Sequence, residues 1–252
     1  MIFDELDSRM RAGEMFHSLR VPPRAWAVVR VDGRSFSRLT ERLVEKPFDA
    51  TFHQWMLGAA EGLFVTLQGV YAYTESDEIS VLLARESELF DREVEKLVSI
   101  AASRASSVFS LACGEPVEFD ARVWVGATDE DVIDYFGWRQ ADATRCALHG
   151  YAYWSLRREG KSAREATAAL ERASIAQKNE LLFARGINFN EVPAWQRRGS
   201  GIVWETFEKQ GFNPKTGEVV AARRRRVAID DNLPMKSEYA ERLAELLRTA
   251  PR

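Results

Sequence analysis

The sequence predicts an α+β chain, an antiparallel sheet flanked by helices with a helical and basic C-terminal region. Three observations carry this. Short β-forming runs end on Asp32, cover Val70 to Tyr73 and Ile79 to Leu83, and return at Phe119 to Val125. Two intervening stretches place apolar residues at helical spacing. The resulting order of strand, helix, strand, strand, helix, strand is the βαββαβ arrangement of ferredoxin-like domains and polymerase palms. Beyond residue 128 the pattern turns helical and then basic, so the expected division is a palm-like core over 1–128 and a helical, basic region over 129–252 packed on it.

Taken in order, Asp4 to Leu19 reads as a leading helix that Pro22-Pro23 stops. Trp26 to Phe36 follows, an apolar run that delivers a carboxylate, Asp32, to its C-terminal edge just before Gly33. Arg34 to Thr40 reads as a small polar loop able to aim successive N–H groups at an anion. Asp49 is placed to cap a helix running to about Leu67, with Phe52, Met56, Ala59, Ala60 and Leu63 on one face. A hairpin spans Val70 to Leu83, and a second helix is expected from Phe90 to about Leu111. Asp129 to about Leu156 is a long helix broken by Gly160-Lys161-Ser162. That tripeptide is no phosphate-binding loop, because Ser155 stands where such a loop needs glycine and a helix precedes it where a strand should. Ser162 and Glu165 form a capping box for a helix over Ala163 to Ala173, and Ser174 to Phe183 is another. Gly211 to Gly217 reads as a hairpin-like loop, and Glu238 to Arg248 as a final polar helix.

Composition excludes several classes. With 252 residues, 46% of them hydrophobic, the chain can bury a sizeable core. Cys113 and Cys146 make no disulfide framework and lack partners at zinc spacing, which fits a reducing cytoplasm. The first residues carry no basic and apolar export signal, and no run approaches ~18 apolar residues, so no membrane association is expected. The net charge is −3, yet Trp195 to Ile229 holds eight Lys/Arg against three Glu, which points to a polyanionic partner there.

The chemistry concentrates at two acidic sites, Asp32 and the run Glu75-Ser76-Asp77-Glu78. An ionised carboxylate at the end of a buried strand needs a cation or several donors. In the βαββαβ layout the first strand and the central hairpin are neighbours, so Asp32 and Asp77 can converge on shared Mg²⁺. Such ions take oxygen ligands, keep waters for substrate phosphates, and in pairs serve both oxygens of a phosphoryl transfer. The competing reading is a capped turn and a tight hairpin.

The chain also resembles the tRNA(His) guanylyltransferase family and its bacterial and archaeal tRNA 5′-end repair relatives. The resemblance runs from about Arg30 to Arg226. It rests on Arg-Val-Asp-Gly-Arg-Ser-Phe (30–36), Lys46-Pro47-Phe48-Asp49, Ser76-Asp77-Glu78, Phe119-Asp120-Ala121-Arg122-Val123, Trp138-Arg139-Gln140-Ala141-Asp142, Lys178 to Phe183 and Gly186 to Asn190. It implies an enzyme that adds nucleotides to a tRNA 5′ end in the 3′-to-5′ direction, using ATP, GTP or other nucleoside triphosphates and two or more Mg²⁺. A homotetramer is also implied. Carried over by residue, Asp32, Asp77 and the Gly33 carbonyl are expected metal ligands, with Glu78 an acidic support counted with Asp32 and Asp77 as catalytic. Gly33, Arg34, Ser35, Phe36, Lys46, Ser76, Lys96, Lys178 and Asn179 are expected to bind nucleotide. For tRNA the expected contacts are Arg197, Arg198, Lys215, Arg223, Arg224, Arg225 and Arg226. Gln140 and Asp142 are expected in a buried polar network. Eukaryotic members carry His-Ile-Asn-Asn-Leu-Tyr-Asn where this chain has Thr144 to Gly150, a departure that favours templated repair over dedicated guanosine addition. A nucleotidyl cyclase on a similar palm and a non-catalytic RNA-binding protein are the alternatives.

Overall fold

In a computed structural model, residues 3–212 and 219–250 are described. Helix α1 (Phe3–Arg11) is followed by β1 (Trp26–Gly33), α2 (Phe36–Leu43) and α3 (Ala50–Thr66). Next come β2 (Tyr71–Glu75), β3 (Glu78–Leu83), α4 (Val94–Cys113) and β4 (Phe119–Gly126). Helices α5 (Asp129–Arg158), α6 (Ala163–Leu170), α7 (Ile175–Phe183) and α8 (Ala194–Arg198) lead to β5 (Ser200–Phe212), β6 (Val219–Asp230) and α9 (Lys236–Thr249). All six strands form one antiparallel sheet in the order β4-β1-β3-β2-β5-β6. Its first four strands have the order expected of a βαββαβ core, with two helices rather than one between β1 and β2.

Strand alternation divides the sheet into two faces. Ala27, Val29 and Val31 of β1 join Ile79 and Val81 of β3 beneath α3 and α4 in one apolar core. Trp26, Val28, Tyr71, Tyr73 and Leu82 point the other way and are covered by Val132 and Phe136 of α5 and by Tyr239, Leu243 and Leu247 of α9. Helix α5, 30 residues long, extends beyond the sheet, and its second half packs Ala147, Leu148 and Leu156 against α6, α7 and Phe189. One long helix thus joins the sheet to the helical region.

Local chemistry explains most boundaries. Asp49 accepts from the amides of Thr51 and Phe52 and starts α3. The Ser162–Glu165 capping box forms, and Ser174 with Gln177 makes a second at the start of α7. Three boundaries differ from the sequence reading. The leading helix stops at Arg11, a separate single turn following at Met15–Ser18. Helix α4 begins at Val94 because Phe90, Asp91 and Arg92 adopt left-handed backbone conformations, φ 54°, 52° and 58°. The Arg92 side chain is buried there and donates to the carbonyls of Val21, Pro22, Ala25, Arg85 and Ser87, knitting the segment before β1 to the one after β3. The polar stretch after Gly33 is a helix, α2, from Phe36 onward, because Phe36 is drawn into the core and starts it. The stretch beyond Asn190 is also more ordered than a basic, flexible run: it supplies two strands of the sheet. Within the expected loop at Gly211 to Gly217, residues 213–218, including Lys215, lie outside the described residues.

Candidate active site

The site forms where β1 and the β2–β3 hairpin end together. Alternation along β1 puts Arg30 and Asp32 on the α5 face, and the register sets Asp32 opposite Glu78 on one side and Asp120 on the other. Asp77 lies one residue outside the ladder, on the two-residue turn closed by the pair Glu75↔Glu78. The Thr74 hydroxyl donates to the Glu78 carbonyl at 2.8 Å, while Ser76 is held at φ 49°. A left-handed serine costs about 1–2 kcal/mol, and such strain concentrates at functional turns. The two acidic loops are tied directly, for the Gly33 amide donates to the Asp77 carbonyl at 3.0 Å. Gly33 must be glycine, since a Cβ there would stand 2.5 Å from the Phe36 ring.

Electrostatics sets this pair apart from ordinary surface carboxylates. Asp77 is pushed up to about 6, first by burial and then by the charge of Asp32. Asp32 is raised as well, by burial and by Asp120, against the opposing pull of Arg122 and Arg30. Two partly buried, mutually repelling carboxylates fit a hard divalent cation. Among the described residues no group of three or more His, Cys, Asp or Glu forms a complete metal cage.

Glu78, expected beside the metal ligands, is engaged elsewhere. Both its oxygens accept from Arg139 of α5, at 2.7 Å each, and the Arg30 guanidinium lies 3.8 Å away. It supports the site rather than facing its open side. Asp142 belongs to the same network, 3.3 Å from Arg139, and Gln140 donates to the Pro234 carbonyl at 2.9 Å.

A cavity of about 360 Å³ opens beside the Asp77 turn, walled by Ser76, Asp77, Lys46, Phe36, Trp154 and Trp195 among others. The Lys46 ammonium donates to the Thr40 hydroxyl and lies 6.0 Å over the Trp154 ring. Burial lowers its pKa while the charge of Asp77 opposes this. Trp195 stacks on His53 at 4.0 Å and 12°, and His53 in turn contacts Asp231 at 3.2 Å. The floor toward Asp32 is the start of α2. Ser35 is left-handed at φ 62°, and the amides of Ser35, Phe36 and Ser37 find no acceptor among the described residues, leaving three donors for an anion. The Phe36 ring itself is core, 2% exposed and packed on Phe109 and Phe119. The Arg34 side chain pairs with Glu118 at the surface.

Other expected residues are not brought to this cavity. Lys96 pairs with Glu93 at the start of α4, which follows the far end of β3. Lys178 is half-buried on α7 and acts on His149, while Asn179 donates to the Ile175 carbonyl. Neither lines the cavity. Arg197 and Arg198 are also less free than a basic run suggests, donating to the carbonyls of Val192 and Leu233. Arg223 to Arg226 are exposed on β6, where alternation sends Arg223 and Arg225 to one face and Arg224 and Arg226 to the other. Arg225 lies over Trp204 and Arg226 pairs with Glu205. Sequence reasoning assigned no site role to Arg139, Thr40, His53, Trp154 or Trp195. Thr40, at the end of the polar stretch from Arg34, Arg139, inside Trp138 to Asp142, and Trp195, inside the basic run, stood in singled-out stretches, whereas His53 and Trp154 did not.

A palm sheet with two neighbouring carboxylates at one end, a nucleotide-sized cavity and amides without an acceptor among the described residues defines the class of nucleotidyltransferases. Comparison with known proteins narrows the class. Residues 7–130 match the family model described as tRNAHis guanylyltransferase, and residues 130–241 match the one described as Thg1 C terminal domain. A probable tRNA(His) guanylyltransferase of Dictyostelium discoideum is 36% identical over 236 residues, covering 87% of this chain and 91% of that protein. The tRNA(His) guanylyltransferase 2 of Arabidopsis thaliana is 32% identical over 212 residues, 79% of this chain, which spans only 39% of that longer protein. Among solved structures, a bacterial tRNA(His) guanylyltransferase-like protein in complex with GTP superposes with a TM-score of 0.76 at 25% identity, over 96% of this chain and 99% of that one. The Saccharomyces cerevisiae tRNA(His) guanylyltransferase does so at 0.68 and 26% identity, over 75% and 90%. The chain belongs to the tRNA(His) guanylyltransferase family.

Proposed function

We propose that this chain adds nucleotides to the 5′ end of tRNA in the 3′-to-5′ direction, as a template-dependent repair enzyme. The observation that carries the reading is the coupling of Asp32 to Asp77, which lines the Lys46 cavity, through the Gly33 to Asp77 bond. Family membership and the nucleotide complexes of the bacterial relative support it.

Mg²⁺ bound by Asp32, Asp77 and the Gly33 carbonyl would lower the pKa of the attacking 3′-hydroxyl and neutralise charge on the leaving oxygen. The chain's own residues then position the reactants. Amides at the start of α2 and the Lys46 ammonium hold phosphates in line, while Trp154 and Trp195 offer flat walls for a base. Ser76 keeps Asp77 turned toward the site by donating to its Oδ1 at 3.1 Å. A 5′-monophosphate is a poor electrophile, so ATP would first adenylylate it with release of pyrophosphate, and AMP leaves when the new bond forms; a tRNA already carrying a 5′-triphosphate would instead lose pyrophosphate at that step. The departure at Thr144 to Gly150 supports templated addition. Thr144, in place of the histidine, directs its one hydroxyl proton to the carbonyls of Arg197 and Gln140 and so has no donor left for a substrate. We place tRNA backbone contacts on the exposed arginines of β6, assembly as a homotetramer on the family resemblance, and a reducing cytoplasm on the free Cys113 and Cys146.

The test is a 5′-labelled tRNA(His) transcript lacking its first nucleotide, incubated with ATP, Mg²⁺ and each nucleoside triphosphate in turn. Extension only by the nucleotide that pairs with the opposite strand, lost in Asp77→Ala, is expected. Guanosine addition whatever the opposing base would replace repair with dedicated tRNA(His) maturation, and binding without extension would refute catalysis.

A further inference from the structure

The hairpin that carries Asp77 closes on an unfavourable pair. Glu75 and Glu78 face each other across its last rung, on the same side of the sheet, and like charges directly opposite destabilise a ladder. Arg139 answers both. Its side chain is 7% exposed, its Nε and Nη2 donate to the two oxygens of Glu78 at 2.7 Å each, and Nη2 also reaches Glu75 at 3.4 Å. Asp142 at 3.3 Å and the Trp138 ring at 4.5 Å fix the guanidinium from its own helix. One rigid fork thus grips both residues that flank the Ser76-Asp77 turn, one on each strand. Lysine cannot copy this, because it lacks the planar two-pronged donor geometry.

We propose that Arg139 is a positioning residue for the reaction: by bridging Glu75 and Glu78 it sets the pitch of the turn and so aims the Asp77 carboxylate at the metal shared with Asp32. The inference rests on reading Asp32 and Asp77 as metal ligands. It assigns Arg139 no contact with substrate, so nucleotide binding should survive where metal placement does not.

The experiment titrates Mn²⁺ alone into nucleotide-free protein by calorimetry, beside kcat, KM for nucleotide and thermal melting, for wild type, Arg139→Lys, Arg139→Gln/Glu78→Gln and Asp77→Asn. Arg139→Lys should weaken Mn²⁺ binding about tenfold and lower kcat by roughly 30- to 100-fold, with KM within twofold. The double variant removes both buried charges together, so it stays informative even where the lysine variant is poorly folded. It too should bind Mn²⁺ weakly, because the grip on Glu75 is gone. Wild-type Mn²⁺ affinity and kcat in a folded Arg139→Lys, or in the double variant, would overturn the inference, as would a rise in KM with metal binding intact. If Asp77→Asn binds Mn²⁺ like wild type, the metal reading itself falls and this inference with it.

Discussion

Two antiparallel hairpins of this sheet show what burial does to charge. The β2–β3 hairpin is central, pairs over five residues and ends in a two-residue turn bearing Asp77, with Glu75 and Glu78 held against Arg139. The β5–β6 hairpin starts beside β2 and runs outward for twelve pairs, with exposed Arg223 to Arg226 on its middle rungs. In the first, low local polarisability makes every charge consequential: Glu75 is pushed up to about 8 by burial and by Glu78. In the second, water screens each arginine, and pairs such as Arg226 with Glu205 contribute little on their own. A charge in the first hairpin sets geometry. In the second it adds to a diffuse field suited to a phosphate backbone.

The comparison breaks first at Asp77. Asp77→Asn should cut nucleotide addition on the order of 10³-fold or more, about 4 kcal/mol of transition-state stabilisation, in a single-turnover assay. The same variant should be more stable than wild type without metal at pH 7, on the order of 2 kcal/mol. The sign follows from linkage. Asp77 titrates at about 6 folded and at 3.8 unfolded, so the folded state holds its proton longer. Metal-free stability therefore falls as pH rises from about 4 to about 6, and Asn removes that fall. Melting curves at pH 5 and 7, with and without Mg²⁺, check this, and a wild type that gains stability over that range refutes it.

Glu78→Ala should do the reverse, one residue away. It takes the two shortest charged bonds from buried Arg139 and leaves only the longer ones to Glu75 and Asp142, a loss of about 3 kcal/mol measurable by urea unfolding. If Glu78→Ala melts like wild type, the contrast drawn between neighbouring carboxylates is wrong. Lys46→Gln comes next, with KM for the nucleoside triphosphate up roughly tenfold and the fold unchanged, since it removes one charged phosphate contact of about 1.5 kcal/mol. An unchanged KM places the phosphates elsewhere. The smallest effects belong to β6, where Arg224→Ala should weaken tRNA binding only a few-fold and reduce the salt slope by about one, equally for any tRNA sequence. A tRNA-specific loss would mean that this strand reads bases.

The sheet was legible because strand periodicity and turn chemistry act locally. The runs ending on Asp32, at Val70 to Leu83 and at Phe119 all became strands, and Asp49 and Ser162 began helices by satisfying amides within three residues. Boundaries failed where a distant partner decided. Phe36 turns a polar stretch into helix because Phe109 and Phe119 await its ring, and left-handed residues 90–92 delay α4 because Arg92 reaches three carbonyls of the distant segment before β1 as well as two just after β3. Strands β5 and β6 were hidden by their charge, since an edge hairpin wet over much of its length carries no apolar alternation.

By itself the sequence determined which carboxylates stand at strand ends, because a buried run closing on Asp-Gly or interrupted by Ser-Asp has one local solution. It also determined, through ordered motifs, the family. Only the tertiary structure decided what each carboxylate faces. Asp77 and Glu78 are adjacent and chemically alike, yet one residue of register sends Asp77 to the open turn beside Asp32 and Glu78 into the guanidinium fork of a helix 61 residues onward. Such a contact between distant residues leaves no periodic trace in either segment, which is why the residue holding the site together became visible only when the chain was folded.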